Sequence, residues 1–183
     1  GKNMQYIKGM QFYQNDKKTA ITLGKFDGLH IGHETLIERV IAHQKNDGVD
    51  SVVFAFDMAP LYEKLKKKKE SLITNEERAG RLLGRVDYLV ECPFVEAVSK
   101  IEAETFIKEI LVEQFHAKYI VVGTDFHFGY QKKGDYHMLQ QYSGEYGYEV
   151  EVIEKKCYED REISSTYIKE EVKKGNMKLV TQL

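Results

Sequence analysis

Five short strand-like runs, Thr19–Leu23, Ser51–Phe56, Tyr88–Glu91, Tyr119–Val122 and Glu149–Ile153, are separated by stretches with helical spacing. No other feature restricts the fold of the chain as tightly. Glu34–Lys45 places Leu36, Ile37, Val40 and Ile41 on one face. Ala103–Phe115 does the same with Ala103, Phe106, Ile107, Ile110 and Leu111. Thr74 with Glu77, and Ser99 with Glu102, have capping-box spacing and predict two helix starts. Strands alternating with helices predict an α/β fold, a parallel sheet with crossover helices on both faces. Such sheets bind ligands beyond the carboxyl ends of their strands, at the point where strand order reverses. The loops after Leu23 and Val122 are therefore where a site is expected.

Composition narrows the partners. A chain of 183 residues, 42 % hydrophobic, can bury a core as one domain without staples. A net charge of −2 gives no general attraction to nucleic acid or anionic lipid. Cys92 and Cys157 are too few for a disulfide framework and read as reduced packing residues. No apolar run has the length of a signal peptide or a bilayer span. The expectation is a soluble cytoplasmic protein.

Three segments carry chemistry. In GKFDGLHIGH, Gly24–His33, a strand meets a helix through a turn containing Gly24 and Gly28. His30 and His33 sit at that crossing. Helix N-termini expose unpaired N–H groups and partial positive charge, so the segment reads as a phosphate cradle with two imidazoles aimed into it. A zinc site using both histidines and Asp27 ranks well below this, because the remaining histidines lack matching spacing. In ISSTYIK, Ile163–Lys169, Ser164, Ser165 and Thr166 stand where a helix cap belongs, with Lys169 one turn on. A cap and a solvated lysine explain that segment almost as well. In VVGTDFHFGYQKKGD, Val121–Asp135, Asp125, Phe126 and Phe128 follow a buried-looking strand. An acid with aromatics suits a planar, hydrogen-bonding ring. Alone, this segment favours an ordinary loop whose phenylalanines pack inward. His127 points away from both rings if the loop is extended.

Together, GxFDGxHxGH, GxDFxFGxxxxG and ISSTxIK, with LITNEER at Leu72–Arg78, resemble the FMN adenylyltransferase (FAD synthetase) module of the bacterial bifunctional riboflavin kinase/FAD synthetase family. The resemblance runs from about Thr19 to Leu179. It implies a Rossmann-like nucleotidyltransferase fold and transfer of AMP from ATP to FMN, with Mg²⁺, giving FAD and pyrophosphate. It implies that Gly24, Phe26, Asp27 and Gly28 shape the nucleotide pocket while His30 and His33 meet the ATP phosphates. Ser164, Ser165, Thr166 and Lys169 would hold the triphosphate from the other side. Asp125, Phe126 and Phe128 would belong to the flavin side, and no residue is assigned to a metal. Bifunctional relatives continue into a β-barrel riboflavin kinase domain, for which 183 residues leave no room, so a single domain over residues 1–183 is expected.

The implied reaction needs neither a general base nor a protein nucleophile. The FMN phosphate has a second pKa of about 6 and is largely ionised at neutral pH. What remains is to align two anions and stabilise charge on the α-phosphate and departing pyrophosphate. The chain departs from the family pattern at Lys25, where relatives commonly have Asn. FAFDMAP, Phe54–Pro60, likewise stands where they show Phe-x-Pro-His-Pro. Lys169 replaces a more frequent arginine. Lys64–Lys69, nearly all lysine, reads as a solvated loop. Two alternatives share part of the pattern: another small-molecule adenylyl- or cytidylyltransferase, and a non-catalytic flavin- or nucleotide-binding regulator.

Overall fold

Strand alternation divides the core into two layers. The computed structural model describes residues 4–26, 31–64, 80, 82 and 84–154. It contains β1 (Gln5–Lys8), β2 (Thr19–Gly24), β3 (Asp50–Asp57), β4 (Tyr88–Pro93), β5 (Ala117–Gly123) and β6 (Glu149–Ile153). They form one sheet in the order β1-β4-β3-β2-β5-β6. Every pairing in it is parallel. Successive side chains of a strand point to opposite faces. Ile21, Leu23, Val52, Phe54 and Phe56 accordingly enter one buried cluster, whereas Ala20, Val53 and Ala55 enter the other.

Helix α1 (Ile31–Asp47) covers the second cluster with Leu36, Ile37 and Val40. The first is covered by α4 (Ala103–Thr105), which continues into π-helical turns over Phe106–Gln114. The periodicity predicted an ordinary helix here. The observed winding is wider, with the Phe115 N–H donating to the Ile110 carbonyl at 2.9 Å. Phe106, Ile107, Ile110 and Leu111 are all buried along it. The Phe106 and Phe115 rings flank Phe54 at 6.0 and 5.5 Å between centroids. Smaller helices complete the described fold: α2 (Ala59–Lys64), α3 (Glu96–Ser99), α5 (Tyr136–Gln141) and α6 (Ser143–Tyr146).

Two expectations need correction or addition. Ser99 ends α3 rather than capping the next helix: its hydroxyl donates to the Glu96 carbonyl at 2.8 Å. Glu102 is itself the cap residue of α4, and no side chain bonds there. Strand β1 went unanticipated, because an edge strand half exposed on both sides carries no apolar run. The expected helix start at Thr74 and the lysine run beyond Lys64 lie outside the described residues, as does Cys157. Cys92 is buried, and burial, with Asp57 nearby, pushes its thiol up to about 11, so it packs as a protonated side chain. Among the described residues no helix is long and apolar enough to cross a membrane.

Candidate active site

Strand order reverses between β2 and β5, whose carboxyl ends lie side by side. Beyond them opens a cavity of about 470 Å³. Gly24 and Gly123, the last residues of the two strands, both line it. The site therefore falls where a doubly wound sheet places ligands.

One wall comes from the crossing between β2 and α1: Gly24, Lys25, Phe26, His33 and Leu36. Phe26 adopts a left-handed backbone, φ 51°, turning the chain out of the strand. That conformation is costly for a bulky residue and is held by packing. Its fully buried ring joins the cluster under α1. The same ring meets the His33 imidazole at 4.8 Å between centroids, tilted by 57°. His33, in the first turn of α1, is half-buried at the cavity wall. The next residue, Glu34, takes a bidentate pair from Arg85 at 2.9 and 2.7 Å, fixing this turn against the segment entering β4.

The opposite wall is apolar, built from Phe56, Met58, Phe94, Val98, Ile101 and Phe106. The loop after β5 roofs it. The Phe126 N–H donates to the Gly123 carbonyl at 3.1 Å, closing a turn that leaves Asp125 exposed at the cavity. Phe126 and Phe128 stack at 5.7 Å with their planes 18° apart. Phe128 is 5 % exposed and lies 5.6 Å from Phe106, so the inward-packing expectation holds. Both rings nevertheless line the cavity. His127 is exposed, its Nδ1 2.9 Å from the Asp125 carbonyl.

Glycine spacing in this loop has a steric cause. Phe128 and Gly134 exchange backbone hydrogen bonds of 3.1 and 2.8 Å, and a Cβ on Gly134 would stand 2.6 Å from the Phe128 ring. Gly129, at φ 81°, lies against the start of α4, where its Cβ would come within 2.6 Å of Ala103 Cα. The Tyr130 N–H then donates to the Ile101 carbonyl at 2.7 Å. Asp135 caps α5, accepting from the Met138 N–H at 3.1 Å.

Of the residues singled out from sequence, Gly24, Phe26, His33, Asp125, Phe126 and Phe128 converge on this one cavity. Asp27, Gly28, His30, Ser164, Ser165, Thr166 and Lys169 lie outside the described residues. Phe94 could have been anticipated, since it follows the carboxyl end of β4. Val98, Ile101 and Lys132 gave no local signal; only packing brings them to the cavity. Among the described residues no group of three His, Cys, Asp or Glu side chains is arranged to hold a metal.

Curated proteins are similar to this chain over nearly all of its length. A bifunctional riboflavin kinase/FMN adenylyltransferase of Buchnera aphidicola (from Schizaphis graminum) is 28 % identical over 98 % of this chain and 59 % of that protein. The protein of the same description from Escherichia coli K12 is 29 % identical over 90 % of this chain and 53 % of its own length. The chain thus spans little more than half the length of these relatives. A crystal structure described as a macrolide-efflux protein from Streptococcus pneumoniae shares the fold, with a TM-score of 0.70 at 25 % identity. That match covers 92 % of this chain and 55 % of the other. The family model for FAD synthetase matches residues 12–167, and the chain belongs to the FAD synthetase family.

Proposed function

We propose that the chain transfers the adenylyl group of ATP to FMN, giving FAD and pyrophosphate. The observation that carries this reading is the composition of the cavity beyond β2 and β5. Its β2–α1 wall presents a helix N-terminus and an imidazole, and its other wall presents stacked aromatic rings. The first suits phosphates and the second a planar heterocycle. An acceptor with its ring against Phe126 and Phe128 would extend its phosphate toward His33.

In this reading the FMN phosphate oxygen attacks the α-phosphorus, and the bond to the bridging oxygen of the departing pyrophosphate breaks. The attacking group is already an anion at neutral pH, so no proton need be removed by the protein. His33 and the first N–H groups of α1 donate to oxygens on which charge accumulates. Rigid walls hold the two anions in line, which is where catalysis of this type originates. His30, Ser164, Ser165, Thr166 and Lys169 complete the phosphate side in the same proposal, with Asp27 and Gly28 in the nucleotide pocket. Mg²⁺ would enter on the ATP phosphates, as it commonly does, rather than in a protein-built cage. A cytoplasmic location belongs to the same reading.

The test is to incubate the protein with ATP, Mg²⁺ and a panel of phosphorylated acceptors, following pyrophosphate and product. FAD formed from FMN is the expected result. Adenylylation of a different acceptor would reassign the substrate, and nucleotide binding without pyrophosphate release would make the chain a binding protein.

A further inference from the structure

We propose that Lys132 is a specificity residue for the acceptor, donating from its ammonium to a carbonyl on the dione edge of the flavin ring. This rests on FMN as the acceptor. Two independent observations lead to it. Lys132 lines the cavity, although it belongs to a tight surface turn. Gln131 and Lys132 also both adopt left-handed backbone, at φ 57° each, without being glycine. Consecutive left-handed residues are unfavourable for L-amino acids and persist only where the surroundings impose them.

The surroundings that impose this turn are identifiable. The Phe128–Gly134 bridge closes its base, Gly129 presses on Ala103, and Tyr130 is tied to Ile101. The turn is thus seated on the α3–α4 side of the cavity, whereas His33 lines it from the first turn of α1. Phosphates belong at the α1 end, so the group within reach of Lys132 is the far end of the acceptor's ring. The dione edge of an isoalloxazine alternates carbonyl, ring N–H and carbonyl. Asp125 stands on the same loop as an acceptor for the N–H, and Lys132 is a donor for a carbonyl. The dione edge presents its N–H flanked by a carbonyl on each side, so Asp125 can take the N–H while Lys132 takes either carbonyl.

The experiment compares binding of FMN and of riboflavin, which lacks the phosphate, to the wild-type protein and to Lys132→Ala, Lys132→Gly and Lys133→Ala. Lys133 is exposed and outside the cavity lining, so it controls for general charge. Both Lys132 variants are expected to weaken FMN and riboflavin alike, by about tenfold, with Lys133→Ala near wild type. KM for ATP should stay unchanged, and Lys132→Gly, which suits a positive φ, should melt no lower than wild type. Unchanged flavin affinity in Lys132→Ala would overturn the proposal, as would a loss confined to FMN, which would place the ammonium on the phosphate. Equal losses in Lys132→Ala and Lys133→Ala would overturn it too. If the wild type binds flavin and forms FAD while Lys132→Ala binds equally well, only the assignment of Lys132 falls. If the wild type binds neither flavin, the acceptor reading falls and takes Lys132 with it.

Discussion

Alanine at Gly129 isolates how the aromatic loop is held. Two costs add at this position. The backbone is left-handed, φ 81°, which costs an L-residue about 1–2 kcal/mol. The new Cβ would also stand 2.6, 2.7 and 2.8 Å from Cα, Cβ and N of Ala103. Carbon atoms in contact ordinarily lie about 3.5–4.0 Å apart, so the loop or the start of α4 must move by roughly 1 Å. Ala103 cannot yield cheaply, because it is buried and the Phe106 N–H is bonded to the Glu102 carbonyl beside it. Overpacking of this kind costs about 1–3 kcal/mol. Reduced freedom of the unfolded chain offsets about 0.4–1 kcal/mol. The net loss is about 2–4 kcal/mol, or roughly 4–16 °C in Tm for a chain of this size.

Two other glycines turn this into a controlled series. Gly147 has φ 76° but nothing within 4 Å of its Cβ position, so alanine there meets only the conformational cost, about 1 kcal/mol net. Gly144 lies within α6, also with nothing within 4 Å, and alanine should stabilise by about 0.5–1 kcal/mol. Thermal melts followed by far-UV circular dichroism should therefore rank Gly144→Ala above wild type, then Gly147→Ala, then Gly129→Ala. Flavin affinity should fall only in the last. If Gly129→Ala and Gly147→Ala melt together, the contact with Ala103 contributes nothing, and the loop is not seated on α4 as described.

The carboxylate of Glu151 on β6 accepts both Arg39 Nε and Nη2, at 3.1 and 2.8 Å, and lies 3.0 Å from His43 Nε2, joining β6 to α1. Burial alone would push its carboxyl up, but Arg39 and His43 hold it below the usual carboxylate range. A lowered folded pKa contributes stability above the unfolded value of about 4.3 and loses it as pH falls through the folded value. Glu151→Gln should thus cost about 0.5–1 kcal/mol at pH 7, discounted for the partial exposure of the pair. Its deficit in urea melts should shrink below about pH 4; a deficit that does not change with pH would remove the ion pair from the explanation. His33→Ala should lower kcat for FAD formation by about 10²–10³ while the melting temperature stays near wild type. FAD synthesis at a normal rate by that variant would exclude His33 from charge stabilisation.

The sheet was legible because its inner strands are rich in apolar residues buried on both faces, β6 alternates Glu with Val, and the apolar residues of α1 and of the Ala103 helix recur at helical spacing. Each missed feature has a cause. Gln5–Lys8 is a four-residue edge strand whose two end residues are exposed and whose two middle residues are half-buried. Apolar spacing marks a helix but does not distinguish α from π winding, since a buried stripe of four residues satisfies both. Ser99 has a capping residue's spacing to Glu102, yet its hydroxyl turns back to the Glu96 carbonyl and closes α3. At the site, Asp125 was legible because it stands just beyond the end of β5, and His33 because it falls in the first turn of the helix that follows β2. Lys132 was not, because a lysine in a polar turn looks like any solvated surface residue until Gly129 and Gly134 fix the turn's direction.

Inward packing and ligand recognition were alternatives for Phe126 and Phe128 in sequence; in the fold the packed rings also line the cavity, so the first does not exclude the second. Phe128 is buried against Phe106, which contacts Phe54 and Phe56 on the central strand β3. Phe126 stacks on Phe128 and lies 6.4 Å from Phe56. The ring that would carry a flavin is therefore the outermost member of a chain of aromatic contacts reaching the sheet. A planar ligand entering such a surface meets side chains whose rotamers are already fixed, so little ordering remains for binding to supply. The β2–α1 wall is built by the same device, with Phe26 anchored under α1 and His33 resting on its ring. Two rigid walls rooted in opposite layers of one sheet can hold two anions at a constant separation, and in-line phosphoryl transfer requires that constancy.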